Sequence, residues 1–400
     1  MKIFPVQRLT AYLTSLKGNI NRKAIVLSLF MTVLSYCFSN WEYPLFVETK
    51  LLQITSLFKN FVSGGLDTSE TPDSIIFVDV SYDRELIKYI EDGNVKGEID
   101  VTNRLKLEKF LQIIDTADYK AVILDVDFSK KYNTGKETSI ADLLDQMDSI
   151  YIAKSDDILN PKLLKKAYWV DHYVNALDNS FSKVALTRND TLSLPMKLFL
   201  DKSHMNFSNI WGILYFVDGG LARRCIYPDL YIGSKNVITY SLGQELLNES
   251  NDSLGYTPQD VRTLVKNKIV IIGSVKGELD NYNTYSGEYP GTIINANIYL
   301  SLWNGAYNYP VWLIVLQLLL YYLCGTQIFK SSKDSDQGYN SFTWMIKVSS
   351  FVWLHYTGIL TLVCLLIYLL FGEAFDIIYS STVLSIIHGF VKLLKYIRYE

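Results

Sequence analysis

The sequence predicts an α/β domain, with a mixed, largely parallel sheet and flanking helices, joined to α-helical transmembrane segments. Three observations carry that prediction. The apolar residues, 49% of 400, collect in charge-free runs near the two ends. Between those runs, short continuous apolar strands alternate with helix-period segments. Basic residues gather beside the terminal runs, whereas the middle of the chain is acidic.

The first run, Ala24 to Trp41, holds no charge and is followed at once by Glu42. Pro310 to Phe329 and Val348 to Gly372 are each long enough, at ~1.5 Å per residue, to cross ~30 Å of hydrocarbon. The fourth, Ile377 to Val391, crosses only if Phe375 and the stems of Asp376 and Lys392 reach into the interfaces. Lys and Arg crowd residues 1–23, the 330–347 loop and the 392–400 tail, while Glu373 and Asp376 lie in the turn between the last two runs. The positive-inside rule then places both termini in the cytoplasm and four spans at 24–41, 310–329, 348–372 and 374–391. The segment 42–309 lies outside, with 36 acidic against 27 basic residues. The basic inner segments find a sufficient partner in the lipid bilayer and its anionic headgroups, and no nucleic acid is called for. The first run reads as an uncleaved anchor, because no A-x-A-like site follows it and Tyr36 occupies the lipoprotein-like LSYC where a small residue is needed. Cys37, Cys324 and Cys364 fall in membrane runs. Cys225 is the one cysteine of the outer segment, expected as a buried free thiol on a strand.

Within the outer segment, Ser74 to Ser81 is a continuous β-branched run, the pattern of a strand buried on both faces. Asn103 to Ala117 places Leu105, Leu107, Phe110, Leu111, Ile113 and Ile114 on one helical side, and Lys120 to Phe128 is a second buried strand. The three form a strand, helix, strand unit with an adjacent parallel pair. Ile150 to Lys154 is a further strand. Asn209 to Asp218 leads into DGGLA, the turn of a hairpin, and Arg223 to Gly233 resumes extended structure. Val237 to Asn248 reads as helix and Lys268 to Ser274 as the most apolar strand. Gly291 to Gly305 reads as a helix running into the second span. Lys130 to Lys136 and Glu278 to Glu288 are surface loops.

Two groups of polar residues are candidate ligand or structural sites. Asp79 and Asp83 follow one strand, Asp125 and Asp127 end another, and Asp280 follows a third. Ligands of parallel sheets gather at carboxyl ends of strands, where several carboxylates can hold a hard cation or supply an aspartate nucleophile. Against this, aspartate at strand ends also simply initiates turns. Arg223 and Arg224, after Asp218 and its glycines, make either a guanidinium fork for a carboxylate or phosphate or a structural pair on opposite strand faces. In the structural case one arginine pairs with Asp79, Asp125 or Asp218. No H-E-x-x-H, G-x-S-x-G or P-loop pattern occurs, so neither an enzyme nor a cofactor is expected, and the metal question stays open. His172 and His204 have no ligand-spaced neighbour. His355 and His388, inside membrane runs beside Tyr and Ser, are expected in interhelical hydrogen bonds.

Four pieces, in order, carry a resemblance. They are FVDVSYDRE (77–85), AVILDVDF (121–128), GILYFVDGGLARRC (212–225), and KIVIIGSVKGELDNYNT with PGTIINANIYLSLWNG. Over residues 42–309 these are similar to the second CHASE family, the extracellular sensory domains associated with bacterial cyclases and histidine kinases. The three C-terminal runs resemble that family's membrane module. Where the family carries W-P-x-x-R before its first helix, this chain has GEIDVTNR (97–104) and keeps only Arg104. The resemblance implies a receptor in the bacterial cytoplasmic membrane that detects an extracytoplasmic ligand or envelope state, and it implies a homodimer. Family members usually continue into a kinase or cyclase. The nine residues after Val391 cannot fold as one, so the output, a kinase, cyclase, protease or similar protein, is expected on a separate cytoplasmic chain. The alternative is a structural or effector membrane protein acting through its C-terminal helices.

Overall fold

A computed structural model describes residues 20–42, 74–91, 94–129, 134–154, 158, 160–170, 173–174, 180–188, 191–233, 237–248, 255–276, 281–284, 286–331, 356–363, 366 and 377–399. The chain forms two compact units, Glu42–Tyr307 and a second made of Met1–Trp41 with Asn308–Glu400.

The Glu42–Tyr307 unit is a largely parallel α/β sheet with helices on both faces. Its strands, in chain order, are β1 (Ile75–Asp79), β2 (Arg84–Glu91), β3 (Asn94–Thr102), β4 (Ala121–Asp125), β5 (Ile150–Lys154), β6 (Ala167–Trp169), β7 (Tyr173–Val174), β8 (Ser180–Ala185), β9 (Thr187–Arg188), β10 (Thr191–Leu192), β11 (Phe207–Ile210), β12 (Leu214–Val217), β13 (Gly220–Ala222), β14 (Cys225–Ile226), β15 (Thr239–Ser241), β16 (Ile269–Gly273), β17 (Asn281–Thr284) and β18 (Gly287–Pro290). The main sheet runs β15-β1-β16-β4-β5-β6, every pair parallel. β1 and β4 are therefore not neighbours, as the strand, helix, strand reading had them, because β16 slots between them.

Continuous apolar sequence in β1, β4 and β16 follows from burial on both faces. One face of Ile76, Val78, Val122, Leu124, Val270 and Ile272 packs under α1 (Arg104–Ile114), α2 (Glu137–Gln146) and α3 (Pro258–Val265). The opposite face of Ile75, Phe77, Ile123, Ile269 and Ile271 packs under α4 (Leu194–Ser203) and α5 (Gly291–Trp303). α1 starts where Asn103 accepts from the Lys106 N–H at 3.1 Å. α3 starts with a reciprocal box between Thr257 and Asp260 and Pro258 in its first turn. In α1, Leu105 is exposed rather than on the buried side, which is Leu107, Phe110, Leu111 and Ile114.

Two further elements depart from expectation. Val237 to Asn248 is not one helix. Thr239–Ser241 pairs with Phe77–Asp79, and only Leu242–Leu246 coils, as a π-helical turn. The β2–β3 hairpin, absent from the sequence reading, pairs only with itself among the described strands. The DGGLA turn is a two-residue hairpin connection between β12 and β13, with Asp218 at φ 47° and Gly219 at φ 77°, the left-handed pair such turns demand. α5 ends at Trp303 and a new helix starts at Val311, so the two are separate helices and not one.

In the second unit, two helical segments are long and apolar enough to cross a membrane, Arg22–Ser39 and Val311–Phe329. They lie within the helices Ile20–Ser39 and Val311–Ser331, where Gly325 lets the Ala24 backbone approach closely enough that a Cβ would lie 3.2 Å from it. Buried polar side chains link the helices. Tyr309 donates to Gln317 at 3.0 Å, Gln317 donates to Ser35 at 3.3 Å, and Tyr321 donates to Ser380 at 2.8 Å on the Ile377–Tyr399 helix. Tyr356 and His388 form the interhelical hydrogen bond expected of that histidine, at 3.1 Å. Most of Val348 to Gly372, with His355 and Cys364, lies outside the described residues. Residues 356–363 are helical. In the last helix the apolar stretch is Ser380–Val391.

Candidate functional site

The carboxyl edge of the main sheet brings together Asp79, Gly273 and Asp125, which are in register across β1, β16 and β4. Residues in register on a parallel sheet share a face. Asp79 and Asp125 thus both point to the α5 side, yet each spends its carboxylate on different donors.

Asp79 is buried and serves the turns that leave β1 and β16. One oxygen accepts from Ser81 N at 3.1 Å, Ser81 Oγ at 2.5 Å, Val275 N at 3.0 Å and Lys276 N at 3.4 Å. Asp125 faces the first turns of α5, where Thr292 Oγ1 donates at 2.9 Å and Asn295 Nδ2 at 3.4 Å. Burial pushes the Asp125 carboxyl above the usual carboxylate range, and the Thr292 and Asn295 bonds only partly offset it. Gly273 makes this approach possible. A Cβ there would lie 2.4 Å from Thr292 Oγ1 and 3.0 Å from Asp125 Cβ.

Asp83 is also buried but holds a different joint. Its oxygens accept from Lys106 Nζ at 2.9 Å and from the Gly243 N–H of the π-helical turn at 2.9 Å. Asp127 is exposed and closes a local turn onto Ser129 N at 2.8 Å. Asp280 lies outside the described residues. Among the described residues no group of three or more His, Cys, Asp or Glu converges to hold a metal ion. The edge is thus a set of locked joints between sheet, turns and α5, and Asp125 is the joint on which α5 begins.

The arginine pair sits at a corner where the chain leaves β13 for β14 in a different sheet. Arg223 is buried and its N–H donates to Tyr307 O at 2.7 Å. Arg224 is half-buried. It pairs with Glu42 and donates Nε to Thr187 O at 3.2 Å. Its acid is therefore Glu42 and none of the three strand-end aspartates, so the corner ties the two ends of the unit together. Asp218 instead accepts from Asn206 N at 2.8 Å, fixing the segment after α4. Cys225 is a buried free thiol on β14, and burial pushes it up to about 11.

Sequence reading missed one further cluster. Arg104 and Glu137 are almost wholly buried and face each other at 3.7 Å, with the Arg104 guanidinium 4.6 Å from the Phe128 ring and bonded to Asp127 O. Burial lowers the Arg104 guanidinium from its ordinary range despite the neighbouring Glu137, Asp127 and Glu85. Arg104 is the charged residue that opens α1, and its partner Glu137 is far off in sequence. Comparison with protein-family models, curated proteins and solved structures finds no match.

Proposed function

We propose that Glu42–Tyr307 is an extracytoplasmic sensory domain of the CHASE type, held in a bacterial cytoplasmic membrane by four spans with both termini inside, and that it reports to a separate cytoplasmic output protein. The observation that carries this reading is the placement of the α/β unit between two helices of membrane-crossing length, Arg22–Ser39 before it and Val311–Phe329 after it. The basic residues of 1–23, 330–347 and 392–400 support the orientation.

The route inward is α5. Its amino end is bonded to Asp125 at the sheet's carboxyl edge, and the chain beyond its carboxyl end continues to Val311. A ligand that favours one of two arrangements of the unit shifts α5 by its differential affinity for the two states. The 330–347 loop and the 392–400 tail present the signal to the partner. The test is capture of cytoplasmic proteins by the full-length chain in mild detergent, compared with a version lacking 330–347 and 392–400. A kinase, cyclase or protease held by the first and lost from the second supports the reading. If the intact chain captures none, with and without envelope stress, the sensory reading fails in favour of a structural or effector membrane protein.

A further inference from the structure

On the side of the main sheet away from its carboxyl edge, a cleft of about 780 Å³ opens at the amino ends of β5 and β6, walled by residues 147–151, 166–168 and the end of α4 with the segment to Asn206. Three lysines line it, Lys166, Lys197 and Lys202. Two are committed elsewhere. Lys197 pairs with Asp201 at 2.6 Å, and Lys166 donates to main-chain oxygens at the end of α2, including Met147 O at 2.7 Å. Lys202 differs. Among the described residues its one hydrogen-bond acceptor is the neutral Ser149 hydroxyl, at 3.1 Å. A half-buried ammonium whose bonded partner is a neutral hydroxyl keeps donors available to an anion. Burial and nearby Lys120 both lower its ammonium, and only Asp201 raises it.

The rest of the cleft offers an aromatic face and a carboxylate. Tyr168 lies half-buried against Tyr151, ring centroids 5.9 Å apart, and offers an aromatic wall. Tyr151 donates to Asp201 at 2.8 Å, which fixes the carboxylate in the cleft with lone pairs left to accept ligand hydroxyls. Two left-handed residues shape the rim, Ser149 at φ 54° and His204 at φ 56°, the latter the cap that ends α4. Asp218 holds that rim through Asn206 N, which gives the DGG turn a purpose at this cleft.

We propose that this cleft binds a small hydroxylated organic anion, a sugar acid, hydroxy acid or sugar phosphate, whose charged group lies between Lys202 Nζ and Ser149 Oγ and whose hydroxylated body lies along Tyr168 toward Asp201. As the detected ligand it rests on the sensory reading, although binding itself does not. The experiment is calorimetric titration of the full-length protein in detergent with D-galacturonate, D-gluconate and D-glucose 6-phosphate, with D-galactose and acetate as controls. Saturable binding of at least one of the three is expected, with the controls weaker by about tenfold or more. Lys202→Gln should weaken it by about tenfold or more, as loss of a charge-assisted hydrogen bond does, and Lys202→Arg should largely retain it. Lys162→Gln, which removes an exposed ion pair to Asp142 outside the cleft, should leave it unchanged. No saturable binding of any of the three, or equal binding in Lys202→Gln, overturns the proposal. Binding that depends on Lys202, while partner capture ignores the bound ligand, establishes the cleft and overturns only its sensory use.

Discussion

Gly273→Ala is the sharpest probe of how the carboxyl edge is assembled. The added methyl would meet Thr292 Oγ1 at 2.4 Å, Thr292 Cγ2 at 3.0 Å and Asp125 Cβ at 3.0 Å, all short of the ~3.5–4.0 Å at which such atoms rest. β16 is flanked by strands on both sides and cannot retreat. Thr292 can turn away only by giving up its bond to Asp125. Overpacking of this kind costs about 1–3 kcal/mol, and the lost hydrogen bond about 1 kcal/mol more. At ~2–4 °C per kcal/mol for a domain of this size, the melting temperature of the purified full-length protein should fall by roughly 4–16 °C in scanning fluorimetry. Thr292→Ala on its own should cost about 1–2 kcal/mol by leaving Asp125 with only Asn295. In the double variant two of the three short contacts vanish, so its loss should be smaller than the two single losses combined by about 1 kcal/mol or more. An unchanged melting temperature in Gly273→Ala, or strict additivity in the double variant, would refute the packing argument.

Two further outcomes follow from buried charge. The Asp125 carboxyl is raised in the folded state above its unfolded value of about 3.9, so its contribution is fully present below that value and is lost as pH rises through the folded one. Wild type should therefore gain stability relative to Asp125→Asn as pH is lowered from neutrality, and a pH-independent difference in urea midpoints would count against it. Arg104→Met should cost about 3–5 kcal/mol because it strands the buried Glu137 charge. Adding Glu137→Gln, which keeps the acceptor used by Thr134 N at 2.8 Å, should recover part of that loss. Thermal melting of the single and double variants decides it, and absence of any recovery would show that the pair is not coupled.

The parts of the fold that were legible in sequence are those whose burial is two-sided. β1, β4, β5 and β16 announce themselves as unbroken apolar runs because both sheet faces are covered. Pairing order was not legible, since nothing in Ile269–Gly273 says that it enters between β1 and β4. Val237 to Asn248 shows tertiary context overriding local pattern: Leu242 and Leu246 keep a helical spacing, but the preceding three residues are drawn onto the free edge of β1. The β2–β3 hairpin was overlooked although Asp92-Gly93 is a strong turn signal, because its exposed Leu86 and half-buried Ile87 blur the alternation. At the site, the aspartates were visible as strand-end residues, while their partners Thr292, Asn295, Lys106 and Gly243 were not. The cleft was invisible because its lysines, tyrosines and rim come from three separated segments, and Asp218, which was singled out, acts on it only through the main chain of Asn206.

The central place of β16 also governs how the unit is made. β1 and β4 leave the ribosome early, yet each keeps a bare apolar edge until a strand roughly 140 residues beyond β4 arrives to fill the gap. At ~5–20 residues per second that interval is about 7–30 s. Long-range parallel pairing is slow even when the whole chain is present. During synthesis two strand edges therefore stay unpaired for seconds, the interval in which such edges are open to wrong pairing.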